Sequence, residues 1–510
     1  MGGSNSKESY NIDADQEHTV SKKCIERSFS SDVNEIECEY AEMMTELKAR
    51  NYDNENLVLE GGGTKGLAYC GTITLLEELD IIKNLKRFAG ASSGAMLATL
   101  LAVGFSAAEL EVIVRRDARS SEFFQDAKFG ILSLPWNMIK HQGWHPYNKI
   151  ESQFELYIEE KQGKRKLTFL ELYQKTGKEL CIIATNLTTS SVEYFHPKTT
   201  PNVSIALAVR ISIGIPGFVQ PKVVEKNGLN HCYIDGGVLC NYPIHCFDGW
   251  YLSMDPKDSF FRKLENMTST NKEHTFGGNN DKTLGLLLYS GDESEFMMQA
   301  FEERSAPIVR PNTKLARKNG KIIDEHKVRE QKRIKIFEAA KNFWMVLRSN
   351  DVDGSNTIDI HELQQAIEHS DFKEHHAKAL FGDTPLSTIF KEMDINGDGE
   401  VTFDEFITFM EKKSVHFMCY MQNMSVQDDT NTIGGFLSAF QGMLDINLKK
   451  LYMKSTDVAR TIGINTDYVK TTDMVYGLDV KDQDFLVACG KASALQFFQM
   501  KSMSNINVQH

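Results

Sequence analysis

Leu57-Val-Leu-Glu-Gly-Gly-Gly-Thr-Lys-Gly66 carries three apolar residues into a glycine-rich turn, and Gly90-Ala-Ser-Ser-Gly94 opens onto the apolar run from Ala95. The first stretch reads as a strand, a tight turn and the start of a helix. Its N–H groups, from Gly61, Gly62, Gly63 and Thr64, can converge at a helix N-terminus and bind an anion or a developing oxyanion. The second has the Gly-x-Ser-x-Gly spacing of a nucleophile elbow, in which small neighbours let a strand turn sharply into a helix and lift a serine hydroxyl clear of the sheet. A third string, Asp235-Gly-Gly237, places a carboxylate on a glycine turn, free to approach another loop. Each string alone fits an ordinary strand–turn–helix. In this order they describe the parts of a serine acyl hydrolase.

Two longer segments extend the pattern. One contains Ala-Val-Arg-Ile-Ser-Ile-Gly-Ile-Pro-Gly-Phe-Val-Gln-Pro from Ala208, then Tyr-Ile-Asp-Gly-Gly-Val-Leu-Cys-Asn-Tyr-Pro243. The other comprises Ala459-Arg-Thr-Ile-Gly-Ile464 and Asp479 to Phe498. Together with the three strings, these resemble the patatin-like phospholipases. The resemblance implies a three-layer α/β hydrolase domain and a Ser–Asp dyad with no histidine. Ser92 would be the nucleophile that forms an acyl-enzyme, and Asp235 the base that takes its proton and later activates water. Ser93 departs from the family, which usually has a small apolar residue there. Lys65 is either a solvated lysine or a group that orients the loop or meets a phosphate.

A different chemistry follows downstream. Asp394-Ile-Asn-Gly-Asp-Gly-Glu-Val-Thr-Phe-Asp-Glu405 fits an EF-hand loop at every diagnostic position. Asp394, Asn396 and Asp398 offer side-chain oxygens, Glu400 a backbone carbonyl and Glu405 a bidentate carboxylate, while Thr402 holds a water and Gly399 makes the left-handed turn. An earlier loop, Asp351 to Glu362, follows the same plan with Asn356 where glycine is usual. Its ligands are Asp351, Asp353, Ser355, the Thr357 carbonyl, Asp359 and Glu362, a hard oxygen set suited to Ca2+. Ile358 and Val401 occupy matching positions and are expected to pair across the two loops.

The hydrolase pattern runs to Thr283-Leu-Gly-Leu-Leu-Leu288, breaks off, and resumes near Thr432. The expected organisation is therefore a polar tail with a short helix (1–52), the first part of the hydrolase domain (53–304), a basic connector with the EF-hand pair (305–425), and the closing strand and helices (426–510). The connector from Arg310 to Lys335 is basic within an acidic chain, and reads as a solvated linker or as a patch for anionic lipid. Met418, Met421 and Met424 recur at helical spacing and read as core.

The 510 residues allow two or three domains, and 41% hydrophobic content supplies their cores. A net charge of −13 argues against a nucleic-acid partner. No run reaches the ~18–20 apolar residues of a spanning helix. Nine scattered cysteines without a Cys-x-x-Cys pair point to reduced thiols on the cytosolic side of a membrane. Met-Gly-Gly-Ser-Asn-Ser6 matches the N-myristoylation pattern with Gly2 as acceptor, although one such chain gives only marginal membrane binding. Residues 5–35 read as disordered, and the spacing from Ile36 to Leu47 predicts a helix.

The expected activity is hydrolysis of phospholipid or lysophospholipid acyl esters at a membrane, with Ca2+ regulatory and no cofactor required for the chemistry. The alternatives are a neutral-lipid lipase with the same dyad, a calcium sensor with a silent hydrolase domain, and a triad that recruits His245 or another downstream histidine.

Overall fold

The computed structural model describes residues 33–119, 126–127, 133–226, 228–265, 272–291, 297, 301, 308–349, 357–412, 442–444, 446–449, 451–471, 473 and 478–506. Gly2, Asp351, Asp353, Ser355, Asn356, Met418, Met421, Met424 and Thr432 lie outside them.

Helix α1 (Val33–Lys48) covers the segment predicted to be helical, and its Met44 and Leu47 enter the main core. Strand β1 (Asn56–Leu59) is buried along its whole length, as expected of a strand covered on both faces. The chain then makes the glycine-rich turn, helix α2 (Ala68–Glu78), β2 (Arg87–Ala91), α3 (Ser93–Val103) and α4 (Ala107–Arg119). Helix α5 (Leu134–His141), β3 (Gly143–His145) and α6 (Asn148–Gln162) lead to β4 (Glu179–Asn186) and β5 (Ser191–Phe195). Helix α7 (Ile205–Ser212), β6 (Gly217–Val219), β7 (Lys222–Lys226) and β8 (Leu229–Asp235) precede the short α8 (Gly237–Cys240) and β9 (Thr283–Tyr289).

The principal sheet has eight strands and runs β10-β9-β1-β2-β4-β8-β7, with β5 pairing to β4 and β10 spanning Thr461–Asn465. The strands from β10 to β4 are parallel, and β5, β7 and β8 add antiparallel pairs. One core lies on the face covered by α2, α3, α6 and the C-terminal helix, and another on the opposite face around Cys240, Tyr242, Phe247 and Tyr289. This is the three-layer α/β architecture. β1 and β2 end side by side, Leu59 opposite Gly90, so the glycine-rich turn and the elbow emerge together at one edge of the sheet.

Between β9 and β10, which are neighbours in the sheet, the chain builds a separate helical unit. It comprises α9 (Lys314–Ser349), α10 (Ile360–Glu368), α11 (Glu374–Phe381), α12 (Leu386–Met393) and α13 (Phe403–Lys412) around Phe343, Leu363, Phe381, Phe406 and Phe409. The 36 residues of α9 form one helix, ~54 Å long at 1.5 Å per residue. Its two ends serve different cores. Ala316 and Ile323 pack into the sheet domain, whereas Ala339, Phe343 and Leu347 pack into the helical unit. The last helix, α14 (Val480–Ile506), lies against α2.

The basic connector is thus helical and partly tied down. Arg310 pairs with Asp324 and with Asp467, and Lys321 with Glu325, while Lys314 and Lys318 are exposed. Cys70, Cys181, Cys232, Cys240, Cys246 and Cys489 are free thiols, and among the described residues no helix is long and apolar enough to cross a membrane.

Candidate active site and calcium loops

The elbow forms as its spacing predicts. Ser92 sits between β2 and α3 with φ 50° and ψ −126°, a conformation that is costly for a non-glycine residue and is kept only where its surroundings impose it. The turn needs small neighbours: a Cβ on Gly94 would lie 2.5 Å from the carbonyl oxygens of Leu59 and Glu60. The Ser92 N–H donates to Ser212 Oγ at 2.9 Å, and that hydroxyl donates to the Ile183 carbonyl at 2.6 Å. Ser212, at the end of α7, thereby ties the strained turn to the middle of the sheet.

Asp235 ends β8, and Ser92 Oγ donates directly to Asp235 Oδ2 at 2.8 Å. Its other oxygen accepts the Gly237 N–H at 2.7 Å. Burial pushes the Asp235 carboxyl up to about 7, and the Gly237 and Ser92 hydrogen bonds oppose that rise only in part. A carboxylate with that affinity for a proton is suited to receive one from a serine near neutral pH. His245 takes no part in this contact. Its Nε2 meets the Tyr194 hydroxyl at 3.0 Å and its ring packs on Phe276.

The glycine-rich turn is more committed than its sequence suggests. Of the four expected oxyanion donors, Gly61 N–H donates to the Asn241 carbonyl at 3.1 Å, Gly62 N–H to Ser93 Oγ at 2.9 Å and Thr64 N–H to the Thr471 carbonyl at 3.1 Å. These three are engaged in holding the loop. The Gly63 N–H, at φ 51°, has no acceptor among the described residues, nor does the Ser93 N–H at the start of α3. Both are therefore candidates to meet an oxyanion. The Ser93 hydroxyl therefore has a role, since it clamps the loop to the elbow. Lys65 is 2% exposed, which excludes the solvated reading.

An apolar cavity opens from Gly63 and Ser93 and runs between α3, α4 and α6. Met96, Leu97, Leu100, Ile113, Val114 and Phe154 line it. Asp117 reaches its wall, where it accepts from the Tyr157 hydroxyl at 3.2 Å and burial raises its carboxyl above the usual range.

Sequence reasoning misses Ser212, Asn241, Glu60, Lys449 and Thr471. Ser212 and Asn241 lie inside stretches whose pattern is visible, but no local spacing ties them to Ser92 or Gly61. The other contacts bring together residues up to several hundred positions apart.

In the second calcium loop, Asp394 accepts from the Gly397 and Gly399 N–H groups at 2.7 and 3.1 Å, and Asp398 from Glu400 N–H at 2.9 Å. Glu405 accepts from Ile395, Asn396 and Thr402, and the Thr402 N–H contributes most to holding its carboxyl below the usual range. Gly397 and Gly399 take φ 77° and 89°, so the turn needs glycine twice. In the first loop, Asp359 and Glu362 form a reciprocal cap on α10, and Thr357 Oγ reaches Glu400 at 2.9 Å. Ile358 and Val401 pair in both directions, at 3.0 and 2.8 Å. Among the described residues no three His, Cys, Asp or Glu side chains are gathered as a metal cluster. The donors are nevertheless all oxygen and lie in one turn, so Asp394, Asn396, Asp398, Glu400 and Glu405 fit Ca2+.

Residues 57–248 match the family model of the patatin-like phospholipases. The chain carries a patatin-like domain. Residues 342–411 match the EF-hand domain pair, which places that pair C-terminal to the matched part of the patatin-like domain. An uncharacterized protein of Acanthamoeba polyphaga mimivirus is 32% identical over 195 residues, 38% of this chain and 61% of that one. A probable lipid hydrolase of Invertebrate iridescent virus 6 is 31% identical over 205 residues, 39% of this chain and 64% of that one. Triacylglycerol lipase 4 of Saccharomyces cerevisiae is 30% identical over 35% of this chain and 20% of that one. The chain thus spans less than two thirds of the length of each of these relatives. Among solved structures, VipD from Legionella pneumophila matches with a TM-score of 0.37 and 16% identity, over 88% of this chain and 67% of that one.

Proposed function

We propose that the chain is a calcium-regulated serine acyl hydrolase that cleaves phospholipid or lysophospholipid esters through Ser92 and Asp235. The observation that carries this reading is the 2.8 Å hydrogen bond from Ser92 Oγ to a buried carboxylate whose proton affinity is raised to about 7. Ser92 Oγ attacks the ester carbonyl carbon as its proton passes to Asp235. The carbonyl oxygen becomes an oxyanion and is met by the Gly63 and Ser93 N–H groups. Collapse of this intermediate breaks the ester C–O bond, and the leaving alcohol takes the proton from Asp235. Asp235 then deprotonates a water that attacks the acyl-Ser92 carbonyl carbon; the Ser92 Oγ–C bond breaks, Asp235 returns the proton to Ser92 Oγ, and the fatty acid is released.

The apolar cavity beside Gly63 and Ser93 suits the acyl chain, which supports a lipid substrate over a small polar ester. The similarity to a triacylglycerol lipase favours a second reading, a neutral-lipid lipase that uses the same two residues. Wild type and Ser92→Ala, assayed for acid release from phospholipid vesicles and from triacylglycerol emulsions, decide between them. Loss of phospholipid hydrolysis in Ser92→Ala supports the reading, and a variant as active as wild type sinks it.

For the membrane contact, α5 is the element we favour. Trp136 and Ile139 are 64% and 83% exposed on one face, and Lys140 lies over the Trp136 ring. Met138 of the same helix sits 3.8 Å from where a Gly217 Cβ would be, three residues after Gly214, whose carbonyl accepts the Asp235 N–H at 3.0 Å. An exposed tryptophan with a neighbouring cation suits an anionic lipid surface. Acylation of Gly2 would add a second anchor on the cytoplasmic side, and intact mass of protein made in eukaryotic cells tests it. Calcium regulation draws its support from α9, one helix that enters both cores.

A further inference from the structure

The foot of the glycine-rich turn holds a buried ion pair that lies partly outside the matched domain. Glu60 precedes Gly61 and is fully buried, and the Lys449 side chain is 3% exposed. Lys449 Nζ lies 3.2 Å from Glu60 Oε1 and donates to the Leu288 carbonyl at 2.9 Å. Glu60 Oε2 accepts the Leu288 N–H at 2.8 Å, so both partners are held on β9. Glu60 Oε1 also accepts from Asn241 Nδ2 at 3.2 Å. Asn241 grips the turn in both directions, through Gly61 N–H to its carbonyl at 3.1 Å and its own Nδ2 to the Gly61 carbonyl at 2.9 Å. A Cβ on Gly237, next to Asp235, would lie 2.7 Å from Asn241 Oδ1, so the same side chain abuts the Asp235 turn.

We propose that Lys449 is a positioning residue for the oxyanion loop: its ammonium neutralises Glu60, Glu60 orients Asn241, and Asn241 sets Gly61 and with it the Gly63 N–H beside Ser92. The inference rests on the acyl-hydrolase reading above. An isolated carboxylate is too costly to bury, so Glu60 keeps its place between Asn241 and β9 only with a cation beside it. Removing the lysine frees Glu60 to shift toward water and take Asn241 with it. Lys449 lies far beyond the stretch matched by the family model and follows the EF-hand pair in sequence. A second contact comes from the same C-terminal part, because the Thr471 carbonyl receives the Thr64 N–H and would sit 2.4 Å from a Cβ on Gly63. The oxyanion loop is therefore completed by chain that returns after the calcium module.

The test uses the full-length chain with a soluble short-chain chromogenic ester, so that membrane binding does not enter. Wild type must release acid and Ser92→Ala must not; failure of that control sinks the hydrolase reading and leaves Lys449 aside. With the control satisfied, Lys449→Met should lower kcat by roughly 30-fold or more with KM within about twofold, because the oxyanion forms only as the reaction proceeds. Lys449→Arg, which keeps the charge, should recover at least roughly a third of wild-type kcat. Glu60→Gln combined with Lys449→Met removes both charges and should recover about tenfold over the single variant while remaining below wild type. A folded Lys449→Met with wild-type kcat, or with raised KM and unchanged kcat, overturns the proposal. If that variant does not fold, the double variant decides: wild-type kcat in the folded double variant overturns the proposal, and a lowered kcat with unchanged KM upholds it.

Discussion

Asp235 is expected to give the enzyme an acidic limb centred near neutral pH. The carboxyl is buried, and desolvation carries its pKa from 3.8 to about 7 against the Gly237 and Ser92 hydrogen bonds. Only the ionised form accepts the Ser92 proton. Turnover on a soluble ester should therefore reach a plateau above pH 8 and fall about tenfold per unit below 7, to roughly a hundredth of the plateau near pH 5. The raised proton affinity also sets a cost in stability. Between about pH 4, where the carboxyl titrates in the unfolded chain, and about pH 7, where it titrates in the folded one, the native state binds more protons. Stability therefore falls as pH rises through that window, by on the order of 4 kcal/mol from its lower edge to its upper one. Asp235→Asn removes the charge and should unfold at a higher temperature than wild type at pH 8, with little difference at pH 4. Kinetics from pH 5 to 9 and thermal melts at pH 4 and 8 measure both effects. A turnover rate flat from pH 5 to 8, or an Asp235→Asn variant that keeps activity, would refute the assignment of Asp235 as base.

Ser212→Ala removes the hydroxyl that accepts the Ser92 N–H and donates to Ile183, and should lower kcat by about 10- to 100-fold with KM little changed and the fold retained; steady-state kinetics on the soluble ester and circular dichroism check this. In the calcium module, Glu405→Gln should weaken calcium-dependent stimulation more than Glu362→Gln, read by calorimetry and by vesicle hydrolysis with and without Ca2+, because the second loop turns on Gly399 at φ 89° where the first has Asn356. Calcium binding that leaves activity and vesicle partition unchanged would remove the regulatory role. Trp136→Ala with Ile139→Ser should reduce sedimentation with anionic vesicles by roughly tenfold while leaving the soluble ester rate unaltered.

The parts of the fold that are legible in the sequence are those written in local spacing. The three glycine strings and the twelve-residue calcium loops impose their geometry over a few residues, so Ser92 and Glu405 stand out from their spacing, and Asp235 from a glycine turn whose role comes with the resemblance to the patatin-like phospholipases. The helix from Val33 is legible for the same reason, since its apolar positions repeat every three to four residues. The donors of the oxyanion site are not. Four N–H groups are equivalent in sequence, and tertiary contacts from Asn241, Ser93 and Thr471 occupy three of them. The burial of Lys65 is hidden because the stretch from Gly61 to Gly66 is mostly glycine and gives no amphipathic period from which it can be read. Lys449 is invisible, as its charge partner stands on the other side of the inserted module.

The placement of the helical unit between two neighbouring strands has a consequence for how the chain is made. β9 is buried at every position from Thr283 to Tyr289, and the strand that covers its outer edge, β10, does not begin until Thr461. At ~5–20 residues per second, a ribosome takes roughly ten to thirty seconds to cross that interval. Throughout that time an apolar, unpaired edge hangs on a half-built sheet, the feature that most readily recruits a stray strand from another nascent chain. The calcium module is complete well before β10 emerges, and a chain interrupted within it would end with its sheet still open.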